Sequence, residues 1–97
     1  MHLNIPHTFS KAEATQRVKQ MLQEARTKIS DKATIDEERW EGDTLHFAAT
    51  AEGQQVSGQV EVTDSAFVID AKLPFMLRLF EGQIEKKIQE QAKQLLG

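Results

Sequence analysis

Apolar residues alternate with polar or small residues from residue 45 to residue 73, and turn signals divide this stretch at regular intervals. The signals are the tripeptides EGD (41–43), EGQ (52–54) and TDS (63–65). Alternation with a period of two places successive side chains on opposite faces of a strand, and short loops favour antiparallel hairpins. The pattern therefore predicts an antiparallel meander with one buried face. The charged segment before it, ATIDEERW (33–40), predicts a polar edge strand.

Helical patterns flank this meander on both sides. Ser10 and Glu13 form a capping-box signature, and apolar residues then recur at helical spacing at Ala14, Val18, Met21, Leu22, Ala25 and Ile29. This spacing predicts a helix over 11–29 with one buried stripe. Pro74 suits the first turn of a last helix over 75–95. The segment HLNIPHTF (2–9) predicts a short strand, and Pro6 places it at a sheet edge.

These elements define the predicted fold class as α+β. The order is strand, helix, four strands and helix (β-α-β4-α), in one antiparallel meander sheet. Only one face of each strand is apolar, so the N-terminal and C-terminal helices should both cover that face. A length of 97 residues predicts a single domain spanning 1–97.

Composition excludes several classes of protein. The net charge of −3 is spread over mixed signs, which argues against nucleic-acid binding. The chain has no cysteine, so disulfides and thiolate chemistry are excluded. The N-terminus resembles no signal peptide, and the longest apolar run, near residues 73–80, is far shorter than the roughly 20 residues of a membrane span. We therefore expect a cytoplasmic protein without a transmembrane segment.

The apolar run at the start of the last helix is the most informative functional feature. On a helical wheel, a stripe comprising Leu77, Ile84, Ile88 and Leu95 faces the sheet, with Phe80 and Ala92 on its flanks. Phe75 and Leu79 point the opposite way, and Met76 lies between the two sides. Because a helix that is apolar all round is normally buried all round, something should cover these side chains. Three covers are open: another part of the chain, a partner subunit, or a hydrophobic surface or ligand.

No pattern of catalytic or metal-binding residues is visible. The three histidines, His2, His7 and His46, lack metal-like spacing and are expected to be ordinary surface residues. The acidic run DEERWEGD (36–43) is expected to be a solvated charge run. Gly58 faces inward on its strand. A glycine at such a position can mark a bulge, or it can leave room for a large side chain or for a ligand. We therefore predict no catalytic residue, no metal and no cofactor.

Trp40 admits two interpretations, as an aromatic binding contact or as a residue that packs near the end of the sheet. The residues predicted to bind a partner or an apolar surface are Phe75, Met76, Leu79 and Trp40.

Five segments in order resemble the small bacterial polyhydroxyalkanoic acid system family. They are HTFSKAEATQRV (7–18), WEGDTLHF (40–47), VSGQVEVTD (56–64), LPFMLRLFEGQIEKKI (73–88) and LLG (95–97). The resemblance implies an association with storage granules of polyhydroxyalkanoate, and it carries no catalytic residues. The element order also looks like a reduced helix-grip (START-like) domain, a fold that holds apolar ligands between the sheet and the last helix.

Two hypotheses follow. The first is a non-enzymatic accessory protein of the granule system, which contacts a protein partner, a second copy of itself or the granule surface. The alternative is a small helix-grip carrier of an apolar or acyl ligand.

Overall fold

A computed structural model describes residues 1–29 and 33–96 of the chain. Their elements, in chain order, are β1 (His2–Pro6), α1 (Lys11–Ile29), β2 (Thr34–Glu41), β3 (Thr44–Ala51), β4 (Gln54–Val62), β5 (Ala66–Lys72), α2 (Phe75–Arg78) and α3 (Glu81–Leu96). The predicted α+β fold is confirmed, with both terminal helical regions packed on one sheet. The predicted last helix is wrong in one respect, because it is divided into α2 and α3.

The sheet has the strand order β1-β5-β4-β3-β2, and every neighbouring pair is antiparallel. Gly42 and Gly53 have positive φ angles of 61° and 76°, as the two tight hairpins require. Glu52 also has positive φ, so both central residues of the second hairpin adopt the left-handed conformation of a type I′ turn. The edge positions predicted for the first strand, which contains Pro6, and for the charged strand are confirmed.

The densest part of the core lies between α1 and the middle of the sheet. Ala14 and Val18 of α1 pack against Leu45 of β3 and Val62 of β4, and all four are buried. Burial decreases along α1, since Leu22 and Ala25 are half-buried and Met21 is exposed. The prediction that Met21 is buried is therefore wrong, because the fully buried contacts of α1 are made by Ala14 and Val18 in its first half. The side chain of Ile29 lies outside the described part of the chain, as does that of Leu95.

The helical region after β5 is interrupted at residues 79–80. The N–H of Phe80 donates to the carbonyl of Leu77, a bond of the 3₁₀ type, whereas the N–H of Ile84 donates to the carbonyl of Phe80 in the ordinary α pattern. The tighter turn interrupts the helix between α2 and α3. Each of the two helices then directs its own apolar residue inward, Leu77 from α2 and Ile84 from α3.

His7 is buried, which corrects the expectation of three surface histidines. Its Nε2 lies 2.9 Å from the carbonyl oxygen of Thr63, and its Nδ1 lies 3.1 Å from the backbone nitrogen of Phe9. Because a carbonyl only accepts and an N–H only donates, the ring is the neutral tautomer with its proton on Nε2. The ring also packs against Phe9 and Phe67. His7 is thus a structural residue that joins the start of α1 to the β4–β5 turn.

Gly58 marks a close approach of two backbones. A Cβ atom at this position would lie 2.1 Å from the carbonyl oxygen of Asp70 and 2.7 Å from the Cα of Ala71. The glycine is therefore required by the neighbouring strand β5. This contact replaces the earlier interpretations, in which Gly58 left room for a ligand or a large side chain.

Candidate functional site

Four large apolar side chains are exposed within six consecutive residues. We call them the apolar patch, which consists of Phe75, Met76, Leu79 and Phe80, with exposed fractions of 75%, 62%, 71% and 52%. Large side chains of this kind present about 150–250 Å² each, so the patch exposes on the order of 500 Å². Patches of about 300–600 Å² are the largest found on typical monomers and are often functional.

The chain holds the apolar patch outward by anchoring the residues between its members. Leu73 is buried beneath the start of α2, and Leu77 is half-buried on the sheet side. The carbonyl of Pro74 accepts the N–H groups of Leu77 and Arg78 and closes the first turn, and Nε of Arg78 donates to the carbonyl of Leu73 at 3.2 Å. Since the turn is closed with Leu77 inward, the side chains of the apolar patch must project away from the sheet.

No part of the described chain, residues 1–29 and 33–96, buries the apolar patch. The first of the three predicted covers, an intramolecular one, is therefore wrong for Phe75 and Leu79. The helical wheel predicts that Phe80 lies on the flank of the buried stripe, whereas in the structure it is half-exposed. The interruption at residues 79–80 accounts for this difference, because the wheel assumed a continuous helix.

A shallow depression lies beside the apolar patch, between Leu77 and the end of the β3–β4 hairpin. Its volume is about 220 Å³, and it is lined by Leu77, Ala49, Thr50, Ala51, Glu52, Gln54 and Val56. This is the position at which a helix-grip domain would hold a ligand. The volume is below the range of about 300–1,000 Å³ that is usual for ligand pockets.

Trp40 is not part of the apolar patch. It pairs with Leu45 across the β2–β3 ladder and packs against the core under α1, with Nζ of Lys19 5.4 Å from the ring centroid. The opposite end of that ladder, at Thr50, is about 17 Å further along the strand at 3.4 Å per residue. Of the two interpretations of Trp40, its surroundings favour the packing role.

The sheet register aligns polar residues across the face that carries no helix. His2, Asp70, Gln59, His46 and Arg39 are successive cross-strand partners. Nδ1 of His2 lies 2.5 Å from Oδ1 of Asp70, and Nε2 of His46 lies 3.3 Å from Oε2 of Glu41. An open concavity of about 590 Å³ covers part of this row. Spacing along the sequence could not show the row, because pairing of β1 with β5 brings its first two members together.

The two histidines of this polar row each lie beside a carboxylate. Within residues 1–29 and 33–96, no group of three or more His, Cys, Asp or Glu side chains is arranged to hold a metal ion. Both histidines are engaged with carboxylates at or near the surface, with side-chain exposures of 63% for His2 and 25% for His46.

The acidic run is exposed as predicted, but two of its members have basic partners on α1. Oε1 of Glu38 accepts from Arg26 at 2.6 Å, and Oδ2 of Asp43 lies 3.2 Å from Nζ of Lys11. The hydrogen bond to Asp43, together with the charge of that carboxylate and of Asp64, raises the pKa of Lys11. The run therefore helps to fasten α1 over β2 and the β2–β3 turn.

The fold and the apolar patch together define a small α+β domain in which helices cover one sheet face and the C-terminal helical region exposes an apolar surface. The family model described as "Putative polyhydroxyalkanoic acid system protein" matches residues 1–96, and the chain belongs to this family. The resemblance noted from the sequence is thereby confirmed. No curated protein and no solved structure matched the chain. Among the described residues, no helix is long and apolar enough to cross a membrane.

Proposed function

We propose that this protein is a non-enzymatic accessory protein of the polyhydroxyalkanoate storage-granule system. It acts in the cytoplasm by contact with a protein partner or with the granule surface, and the apolar patch is the contact surface. The observation that carries this proposal is the exposure of Phe75, Met76, Leu79 and Phe80 within one short segment. Membership of the polyhydroxyalkanoic acid system family supports the granule context.

The size of the apolar patch supports a binding role. Burying on the order of 500 Å² of apolar surface is worth up to about 12 kcal/mol at about 25 cal/mol per Å². Association costs an estimated 4–15 kcal/mol in lost freedom of motion. Contact through the patch would therefore be weak to moderate when it acts alone.

The small-ligand carrier is supported by one observation, the depression beside Leu77. Its volume of about 220 Å³ suits a short apolar group rather than a long acyl chain. Native mass spectrometry of the purified protein distinguishes the two functions. A co-purified acyl ligand would favour the carrier, and a protein without added mass would favour the contact role.

The test of the contact role uses cells that accumulate the polymer. Phe75→Ser combined with Leu79→Ser removes the two most exposed apolar side chains of the patch, and Met21→Ser serves as the control because Met21 is a large exposed apolar residue on α1. We expect the wild type and the control to co-fractionate with granules or to pull down a granule protein, and the double variant to lose most of that association. Equal association of a correctly folded double variant would contradict the proposal.

Substitutions in the polar row test whether the role is non-enzymatic. His2→Ala combined with His46→Ala removes both imidazoles of the row, and we expect the function in polymer-accumulating cells to be unchanged. A folded variant that loses the function would favour an enzyme instead.

A further inference from the structure

The two parts of the chain have charges of opposite sign. Residues 72–97 contain five Lys or Arg and three Asp or Glu, whereas residues 1–71 contain seven and twelve. The region that carries the apolar patch is thus positive by two charges, and the remainder is negative by five. A basic region beside an apolar one is complementary to a surface with an anionic exterior and an apolar interior.

The positive charges follow the apolar patch closely along the chain, and those on α3 are exposed. Lys86 and Lys87 lie in the second turn of α3, which begins at Glu81, directly after the last residue of the apolar patch. Lys86, Lys87 and Lys93 are exposed, whereas Ile84 and Ile88 on the other side of α3 are half-buried. One acidic residue, Glu90, shares the exposed face, while Glu81 and Glu85 are half-buried. The exposed side chains therefore change from apolar at α2 to polar along α3, where three of the four exposed charged residues are basic.

A second copy of the chain fits the apolar patch less well. A stable interface usually buries about 800 Å² on each partner, which is well above the patch's area on the order of 500 Å². The acidic edge strand β2, with Glu37, Glu38 and Glu41 exposed, would also repel the same edge of another copy. The four apolar side chains project outward and do not line a groove that could receive a helix.

We propose that the apolar patch inserts into the acyl region of an anionic lipid surface while Lys86, Lys87 and Lys93 contact the headgroups. This inference rests on the proposed function, and it names the chemistry of the surface that the protein contacts. The arrangement shares with interfacial helices the combination of apolar side chains that can enter the layer and basic side chains that can stay at the headgroups.

The experiment is co-sedimentation of the full chain with vesicles of phosphatidylcholine, with and without phosphatidylglycerol. We expect binding to the vesicles that contain phosphatidylglycerol, and weaker binding when the salt concentration is raised.

Lys86→Gln combined with Lys87→Gln should weaken binding at low salt by about tenfold or more. The matched control, Lys19→Gln combined with Arg39→Gln, removes the same charge from the remainder of the chain and should bind like the wild type. Phe75→Ser combined with Leu79→Ser should abolish binding, and circular dichroism confirms that each variant is folded.

Three outcomes would overturn the inference: a wild type that binds neither kind of vesicle, lysine variants that behave like their control, or a concentration-dependent dimer in sedimentation velocity that the apolar variant abolishes. Granule association that persists without vesicle binding would overturn the lipid inference alone and leave the proposed function intact. Vesicle binding by a protein that does not associate with granules would overturn the proposed function alone.

Discussion

The two helical regions cover the same face of the sheet in different ways. Ala14 and Val18 of α1 are buried against the strands, whereas no described side chain of α2 or α3 is fully buried, and Ile84 and Ile88 are only half-buried. The first region therefore supplies the fully buried side chains on the helical side of the core. In the second region the most apolar segment, which carries the apolar patch, is exposed to solvent. We therefore propose that stability and contact with other molecules depend on different ends of the chain.

Local interactions reinforce this difference. Oγ of Ser10 accepts from the N–H of Glu13 at 3.1 Å and caps α1, and Lys11 and Arg26 form ion pairs with Asp43 and Glu38. By contrast, α2 has only four residues, and no side chain caps it. A helix this short is marginal by itself, so Leu73 and Leu77 must hold it in place.

The largest effect should come from the sheet beneath the helices. Gly58→Ala places a Cβ atom against the backbone of β5, and we expect a loss of about 4 kcal/mol or more in the free energy of unfolding. The control is Gly82→Ala in α3, where a Cβ atom meets nothing within 4 Å and the better helix propensity should stabilise by up to about 1 kcal/mol. Urea denaturation measures the free energy of unfolding of both variants. Equal effects would show that the backbones of β4 and β5 do not approach each other this closely at Gly58.

The next largest loss of stability should come from the core beneath α1, and comparing it with the loss beneath α3 tests the two helical regions directly. Leu45→Ala opens a cavity beneath α1 and should cost about 2–5 kcal/mol, because Leu45 is among the most buried side chains. Ile84→Ala beneath α3 should cost less than half as much, since Ile84 is half-buried. Thermal melts that rank the two variants in the opposite order would reverse our assignment of stability to α1.

His7→Ala should have a somewhat smaller effect, about 1–3 kcal/mol. The substitution leaves the carbonyl of Thr63 and the N–H of Phe9 without their partner. His2→Ala is the matched control, because His2 is exposed and should change stability by less than about 0.5 kcal/mol. Chemical denaturation of the two variants gives the comparison, and a neutral His7→Ala would mean that these hydrogen bonds contribute nothing to the start of α1.

The smallest effect on stability should come from the apolar patch. Phe75→Ser combined with Leu79→Ser removes side chains that are already in solvent, so we expect a change in the free energy of unfolding below about 1 kcal/mol. The same double variant is expected to lose association with granules. Global unfolding of this variant in a thermal melt would show that the two residues belong to the core and that the regions do not divide the roles in this way.

The sequence predicted the sheet well because its signals are local. Alternation with a period of two and the turn signals between the strands specify β3 to β5, and the charge of residues 33–40 indicates β2 as an edge strand. The helical wheel correctly places Phe75 and Leu79 away from the sheet. Three features depend on distant parts of the chain and could not be predicted. His7 is buried because Thr63 and Phe67 close over it, Gly58 is set by β5, and the polar row arises from the pairing of β1 with β5. The interruption at residues 79–80 was missed because the apolar spacing of Leu77 and Ile84 fits one helix as well as two.

The pairing of β1 with β5 also has a consequence for the order of folding. Strands β2 to β5 are joined by short turns, whereas Leu3 must meet Ile69 across more than 60 residues. Closing a long loop costs entropy before its contacts form, so we expect the meander to assemble first and the N-terminal strand to join it late. Until then β5 has an open edge beside Phe67 and Ile69, and an unpaired apolar edge is prone to pair with other chains. The return of the first strand is therefore the step at which this protein is most exposed to misassembly.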